Sequence, residues 1–196
     1  ECYYVSPTGK GSLDGSSWDN AMSADYFRNL LSANSDADIT IENAERLDGK
    51  NIYLAAGEYK LVKNDAGIRM DYTSYNSSVD IYIEGGYDPE STGGDLSKRD
   101  TKRFITSLTR NTDSNAGKTT NSVFQLGNQM NLYFNGCVFD GKYDKETDGA
   151  VRAFYSNGIN SLYLTDCVIK NFNVKKATTS RGGAIFINQG NVFMNN

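Results

Sequence analysis

Apolar and polar side chains alternate along Leu132-Tyr-Phe-Asn-Gly-Cys-Val-Phe139, and the alternation returns as Leu162-Tyr-Leu-Thr-Asp-Cys-Val-Ile169. The offset is thirty residues at every matched position, and thirty more reaches Val192-Phe-Met-Asn-Asn196. Period-two alternation is the pattern of a strand with one buried face. Its recurrence at thirty residues points to stacked supersecondary units, not a singly wrapped globule. From Ser122 each unit opens on a short apolar stretch (Val123-Phe124, Ala153-Phe154, Ala184-Ile185-Phe186). An Asn/Gly corner follows, then the Leu-Tyr strand, then a second polar corner at Asp140-Gly141 or Lys170-Asn171. Several short strands per unit stay in phase only if each pairs in parallel with its counterpart one unit on, at about 4.8 Å. The pattern therefore predicts an all-β parallel β-helix, a solenoid.

Upstream the pattern is less regular. Residues 3–20 read as a short strand and a loop anchored by Trp18. A helix is predicted from Ser23 to Leu31, capped by Ser23, with Tyr26, Phe27, Leu30 and Leu31 on one face. Residues 32–50 are polar, with a weak Ile39/Ile41 alternation. Asn51–Tyr59 and Val79–Tyr87 read as strands ending at glycine turns. Residues 88–118 form the longest polar stretch, interrupted by Phe104, Ile105 and Leu108, and read as a solvated connection, with a mobile or functional loop as the alternative. The expected organisation is one domain over 1–196. Residues 1–50 form an N-terminal cap with a short helix, 51–121 irregular early rungs, and 122–196 regular rungs left incomplete at the C-terminal end.

Composition narrows the chemistry. The chain lacks histidine, which excludes Ser-His-Asp and Cys-His catalysis and any His-ligated zinc within it, and three cysteines are too few for a four-thiolate site. Net charge is −4 and basic residues are not clustered, so nucleic acid is not an expected partner. No apolar run approaches the ~18 residues of a membrane span.

Several segments carry a family resemblance. Tyr4-Val-Ser-Pro-Thr-Gly9 with Gly15-Ser-Ser-Trp18, Ile52-Tyr-Leu-Ala-Ala-Gly-Glu-Tyr59, and Ile81-Tyr-Ile-Glu-Gly-Gly-Tyr87 followed by Leu96-Ser-Lys-Arg-Asp100 are three of them. Gly182-Gly-Ala-Ile185 and Phe193-Met-Asn-Asn196 are two more. Together they resemble the right-handed parallel β-helix surface proteins common in Bacteroidetes, similar to the chlamydial polymorphic membrane protein repeats and to the pectin-lyase-like fold. The resemblance implies an exported bacterial protein, secreted or at the cell surface and associated with the outer membrane, with its signal peptide already removed ahead of Glu1-Cys2. It implies an adhesin or structural role without catalysis, with a host or cell-surface glycan or protein as partner. The alternative on the same fold is a polysaccharide lyase or glycoside hydrolase. The unfinished last rung adds an expectation of end-to-end self-association.

Tyr133 and Tyr163 lie in register and point opposite to Leu132 and Leu162, giving an outward aromatic strip that either packs against covering loops or is suited to sugar rings or a protein partner. Pectate-lyase-like enzymes hold calcium on carboxylates beside an Arg or Lys base. Asp140, Asp144, Glu146 and Asp148 with Arg152 are the local group of that composition, and hard carboxylates at alternating positions suit calcium. Lys170 and Lys175-Lys176 occupy the equivalent positions one unit on, which favours a screened charge pair over a repeated metal site. Cys137 and Cys167 are expected as an inward ladder of free thiols, because in-register strands carry parallel Cβ vectors. Asn128, Asn157, Asn171 and Asn188 mark corners and are expected to form a buried amide ladder, with sugar contact as the functional alternative.

Overall fold

In the computed structural model the strands among the described residues form three sheets, and every ladder between those strands is parallel. The structure describes residues 1–33, 36–62, 66–75, 77–110, 122–142, 152–159, 161–173 and 183–196. The six-stranded sheet runs β1 (Cys2–Val5), β2 (Lys50–Ala55), β5 (Val79–Tyr87), β8 (Met130–Asn135), β11 (Ser161–Thr165), β14 (Asn191–Asn195). A second sheet holds β3 (Gly57–Lys60), β6 (Thr106–Thr109), β9 (Cys137–Asp140) and β12 (Val168–Lys170). The third holds β4 (Ile68–Met70), β7 (Ser122–Leu126), β10 (Arg152–Ser156) and β13 (Ile185–Ile187). From β2 onward the chain visits the three sheets in fixed rotation, so each strand pairs with the strand three later.

Register follows the inward residues. Leu132 lies opposite Leu162 and Leu162 opposite Val192; Phe134, Leu164 and Met194 form the next row. The thirty-residue offset holds from β8 to β11 to β14, from β9 to β12 and from β7 to β10. In the third sheet Phe154 faces Ile185, a step of one residue more, and Phe186 stacks outside on Tyr155 at 5.3 Å. Inward side chains from all three sheets and two helices share one contiguous core.

Helix α1 (Ala24–Leu31) begins as predicted, with Ser23 Oγ accepting from the Tyr26 N–H. It buries Phe27, Leu30 and Leu31, while Tyr26 faces solvent. A second helix, α2 (Ala37–Leu47), lies in the polar stretch where no helix was expected. Its buried stripe is Thr40, Asn43, Ala44 and Leu47, a helical i, i+3, i+4, i+7 spacing. Two of those four are polar and Ile39 points outward, so the apolar periodicity was hidden. Asn43 is accommodated because its amide donates to the Asn29 and Ser32 carbonyls that end α1.

The expected solvated connection after Tyr87 is instead a packed segment as far as residue 110. It contains α3 (Pro89–Thr92), capped by Asp88, a 3-10 turn at Leu96–Lys98, and strand β6. Arg99 fastens it to the six-stranded sheet: Nε donates to the Gly85 carbonyl and one terminal nitrogen to Asn135 Oδ1, both at 2.7 Å. A Cβ on Gly136 would run into Thr101 and Arg99, so glycine is required for this approach. At the far side of the six-stranded sheet, β14 leaves Val192, Phe193 and Met194 exposed.

Candidate functional site

The outer face of the six-stranded sheet carries a continuous aromatic column. Alternation buries Ile81 and Ile83 in β5, Leu132 and Phe134 in β8, and Leu162 and Leu164 in β11, which turns Tyr82, Tyr133 and Tyr163 outward. Phe193 continues the row. Ring centroids are 4.5 Å apart for Tyr82–Tyr133, 4.3 Å for Tyr133–Tyr163 and 4.7 Å for Tyr163–Phe193, with interplanar angles of 18°, 5° and 11°. Polar rows flank it: Asp80, Asn131, Ser161 and Asn191 on one side, Glu84, Asn135, Thr165 and Asn195 on the other. Asn131 Nδ2 donates to Asp80 Oδ1 at 2.8 Å, so the first of these rows is hydrogen-bonded across strands.

This geometry decides what the column presents. Rings stacked on one another use up their faces, so Tyr133 and Tyr163 offer edges and phenol hydroxyls rather than a platform for a sugar ring. Burial, with the neighbouring Tyr82, Asp80 and Tyr163, pushes the Tyr133 phenol up to about 12. The Tyr133 hydroxyl is therefore a neutral donor at physiological pH.

A second aromatic group adjoins the column on the same sheet. Tyr4 and Tyr53 pair across β1 and β2, and Trp18 and Tyr87 pack on them at centroid distances of 4.9–5.9 Å. Tyr87 donates to Glu84, and Arg99 lies over its ring. Tyr82 lies in a strand the sequence predicts, but its separation from Tyr133 is not the repeat period, so its membership of the column carries no repeat signal. The quartet around Trp18 carries no repeat signal at all.

Of the acidic candidates, Asp144, Glu146 and Asp148 lie outside the described residues. Asp140 is buried and fully engaged. It accepts from the Lys142 backbone N–H and from Asn171 Nδ2, both at 2.9 Å, and faces the Lys142 and Lys170 ammoniums at 3.8 and 3.7 Å. Burial alone would raise its pKa, yet these donors and cations outweigh it and hold the carboxyl below the ordinary Asp range. The same corner is clamped by buried Arg110, whose guanidinium donates to the Gly141 and Lys142 carbonyls at 2.6 and 2.9 Å. A carboxylate so used is a structural tie rather than an open calcium ligand. Arg152 is buried in β10 of the third sheet, while Asp140 closes β9 of the second. Among the described residues no group of three or more Asp, Glu, Cys or His is arranged to hold a metal.

The Asp140 arrangement gives a pH dependence with a definite sign. A carboxyl depressed in the folded state adds stability above its unfolded pKa, and the contribution is lost as pH falls through the folded value. Acid titration of the melting temperature is expected to show this loss below about pH 4. Asp140→Asn should be less stable by about 1–3 kcal/mol at neutral pH and flatter over that acid range. An unchanged acid limb in the variant would refute the assignment.

Cys137 is buried and Cys167 half-buried at the adjacent register position, and both are free thiols. Burial pushes both pKa values up, so neither is a nucleophile at neutral pH. The corner asparagines depart from expectation. Asn128, Asn157, Asn171 and Asn188 are all exposed and form no buried ladder. Asn171 instead holds a left-handed turn (φ 56°) while its amide reaches Asp140.

Among the described residues no helix is long and apolar enough to cross a membrane. Comparison with known protein families, with curated proteins and with solved structures finds no match to this chain.

Proposed function

We propose that the chain is a right-handed parallel β-helix of an exported bacterial surface protein, and that it acts by presenting a rigid sheet face to a protein partner, without catalysis. The fixed rotation through three parallel sheets supports the solenoid. The observation that carries the functional reading is the column Tyr82–Tyr133–Tyr163–Phe193 between two polar rows. Stacked tyrosines are already immobilised, so a partner gains contact area and hydroxyl hydrogen bonds with little further ordering cost. Because the ring faces are consumed, a protein surface suits the column better than a sugar ring does.

Labelled protein applied to epithelial and bacterial cells tests this reading. Wild type is expected to bind. Tyr133→Ala/Tyr163→Ala should bind at least about tenfold more weakly, the size of a tyrosine hot spot. Protease treatment of the cells should abolish binding and periodate should not. Sensitivity to periodate alone would make the partner a glycan. Cleavage of acidic polysaccharides by the purified protein would replace this reading with the lyase or hydrolase one.

A further inference from the structure

A cleft of about 720 Å³ opens between the Ser6–Lys10 loop and the segment that starts at Asp88, with Ala55 and Ala56 as its floor. That volume lies in the roughly 300–1,000 Å³ range of small-molecule sites. Its walls are held in place. Asp88 accepts from Ser91 at the start of α3, the Gly9 N–H donates to Ser6 Oγ, and Lys10 pairs with Asp19 at 2.7 Å. Gly93 and Gly94, both at positive φ, form the rim; a Cβ on Gly94 would sit 3.0 Å from the Trp18 ring.

The lining states what chemistry fits. Asp19, Asp88 and Glu90 face one ammonium, Lys10, so anions are disfavoured and a ligand that donates hydrogen bonds is favoured. Trp18 adds a donor: its Nε1 is buried in the wall with no protein acceptor. A ligand must therefore both donate and accept. Alkylammonium ions carry N–H donors but no acceptor at nitrogen, quaternary ones carry neither, and the packing of Trp18 against Tyr4, Tyr87 and Gly94 leaves little ring face for a cation. Hydroxyl groups do both.

We propose that this cleft is a binding site for a neutral saccharide. Its hydroxyls donate to the Glu90 and Asp88 carboxylates and accept from Trp18 Nε1 and the Thr8 and Ser17 hydroxyls. The proposal stands on this lining and is independent of the aromatic column.

Trp18 is the single tryptophan of the chain, so selectively excited indole emission reports this cleft alone. The full chain is titrated with glucose, galactose, N-acetylglucosamine, lactose and maltose. At least one should give a saturable emission change with Kd on the order of 1 mM. Glu90→Gln, at an exposed position, should keep the melting temperature and weaken that sugar about tenfold, the loss of one hydrogen bond to a charged group. Tyr163→Ala should leave the titration unchanged, which separates failure here from failure of the sheet-face reading. The proposal is overturned by three outcomes: no saturable response up to about 100 mM of any sugar, a response to choline but not to sugars, or a sugar response that Glu90→Gln leaves intact.

Discussion

Excising residues 132–161 is expected to leave a cooperatively folding protein, whereas the shorter excision of residues 132–151 is expected to abolish folding. The longer cut removes one full period and joins Asn131 to Leu162. Leu162 and Leu164 then take the places of Leu132 and Phe134 opposite Ile81 and Ile83, and Tyr163 takes the place of Tyr133 on Tyr82. In the second sheet Ile169 replaces Phe139 against Leu108, and in the third Ile185 replaces Phe154 against Phe124. Each sheet loses one strand and keeps its inward row. Stability should fall, since one set of nearest-neighbour interfaces is gone, but a two-state transition with a smaller urea m-value should remain. The shorter cut joins Asn131 to Arg152-Ala-Phe-Tyr-Ser156. A third-sheet strand would then follow the start of β8 directly, an Arg would fall on the inward row, and the rotation through the sheets would be broken. Circular dichroism with urea titration of both proteins checks the pair. Equal behaviour of the two, or an unfolded longer-cut protein, would sink the proposed interchangeability of the units.

The same registers show where sequence reading succeeds and where it stops. Beyond Ser122 the rows of Leu132, Leu162 and Val192 were visible because the thirty-residue offset repeats. Between β5 and β8 the packed segment after Tyr87 intervenes, and Val79 pairs with Met130. Counting fails there, and register is set by burying Ile81 and Ile83 over Leu132 and Phe134. Helix α2 was hidden because Thr40 and Asn43 occupy its inner face, a choice that makes sense only once the Asn29 and Ser32 carbonyls are seen to need donors. At the candidate site, alternation sufficed to turn Tyr133 and Tyr163 outward. It could not reveal that their faces are consumed, because that depends on ring orientation. Asp140 is a mixed case. Lys170 at the equivalent position one unit on pointed to a charge pair over a metal site, and that pair forms, while the Asn171 amide and the Lys142 N–H that also hold the carboxylate carried no sequence signal.

Phe154→Ala is expected to destabilise the protein by about 3–5 kcal/mol, while Phe193→Ala should change stability by no more than about 0.5 kcal/mol. Phe154 sits among Phe124, Phe134 and Phe139 at centroid distances of 5.3, 5.8 and 4.9 Å, and all four side chains are fully buried. The four rings come from all three sheets, so removing one opens a cavity that no single strand can collapse to fill. Phe193 is 50% exposed and touches one ring of the outer column. Phe154→Leu, which keeps most of the volume, should recover more than half of the loss. Urea unfolding of the three variants measures the differences directly. Comparable losses at Phe154 and Phe193 would mean that the phenylalanine cluster is not where the three sheets are joined, and the single shared core would have to be given up.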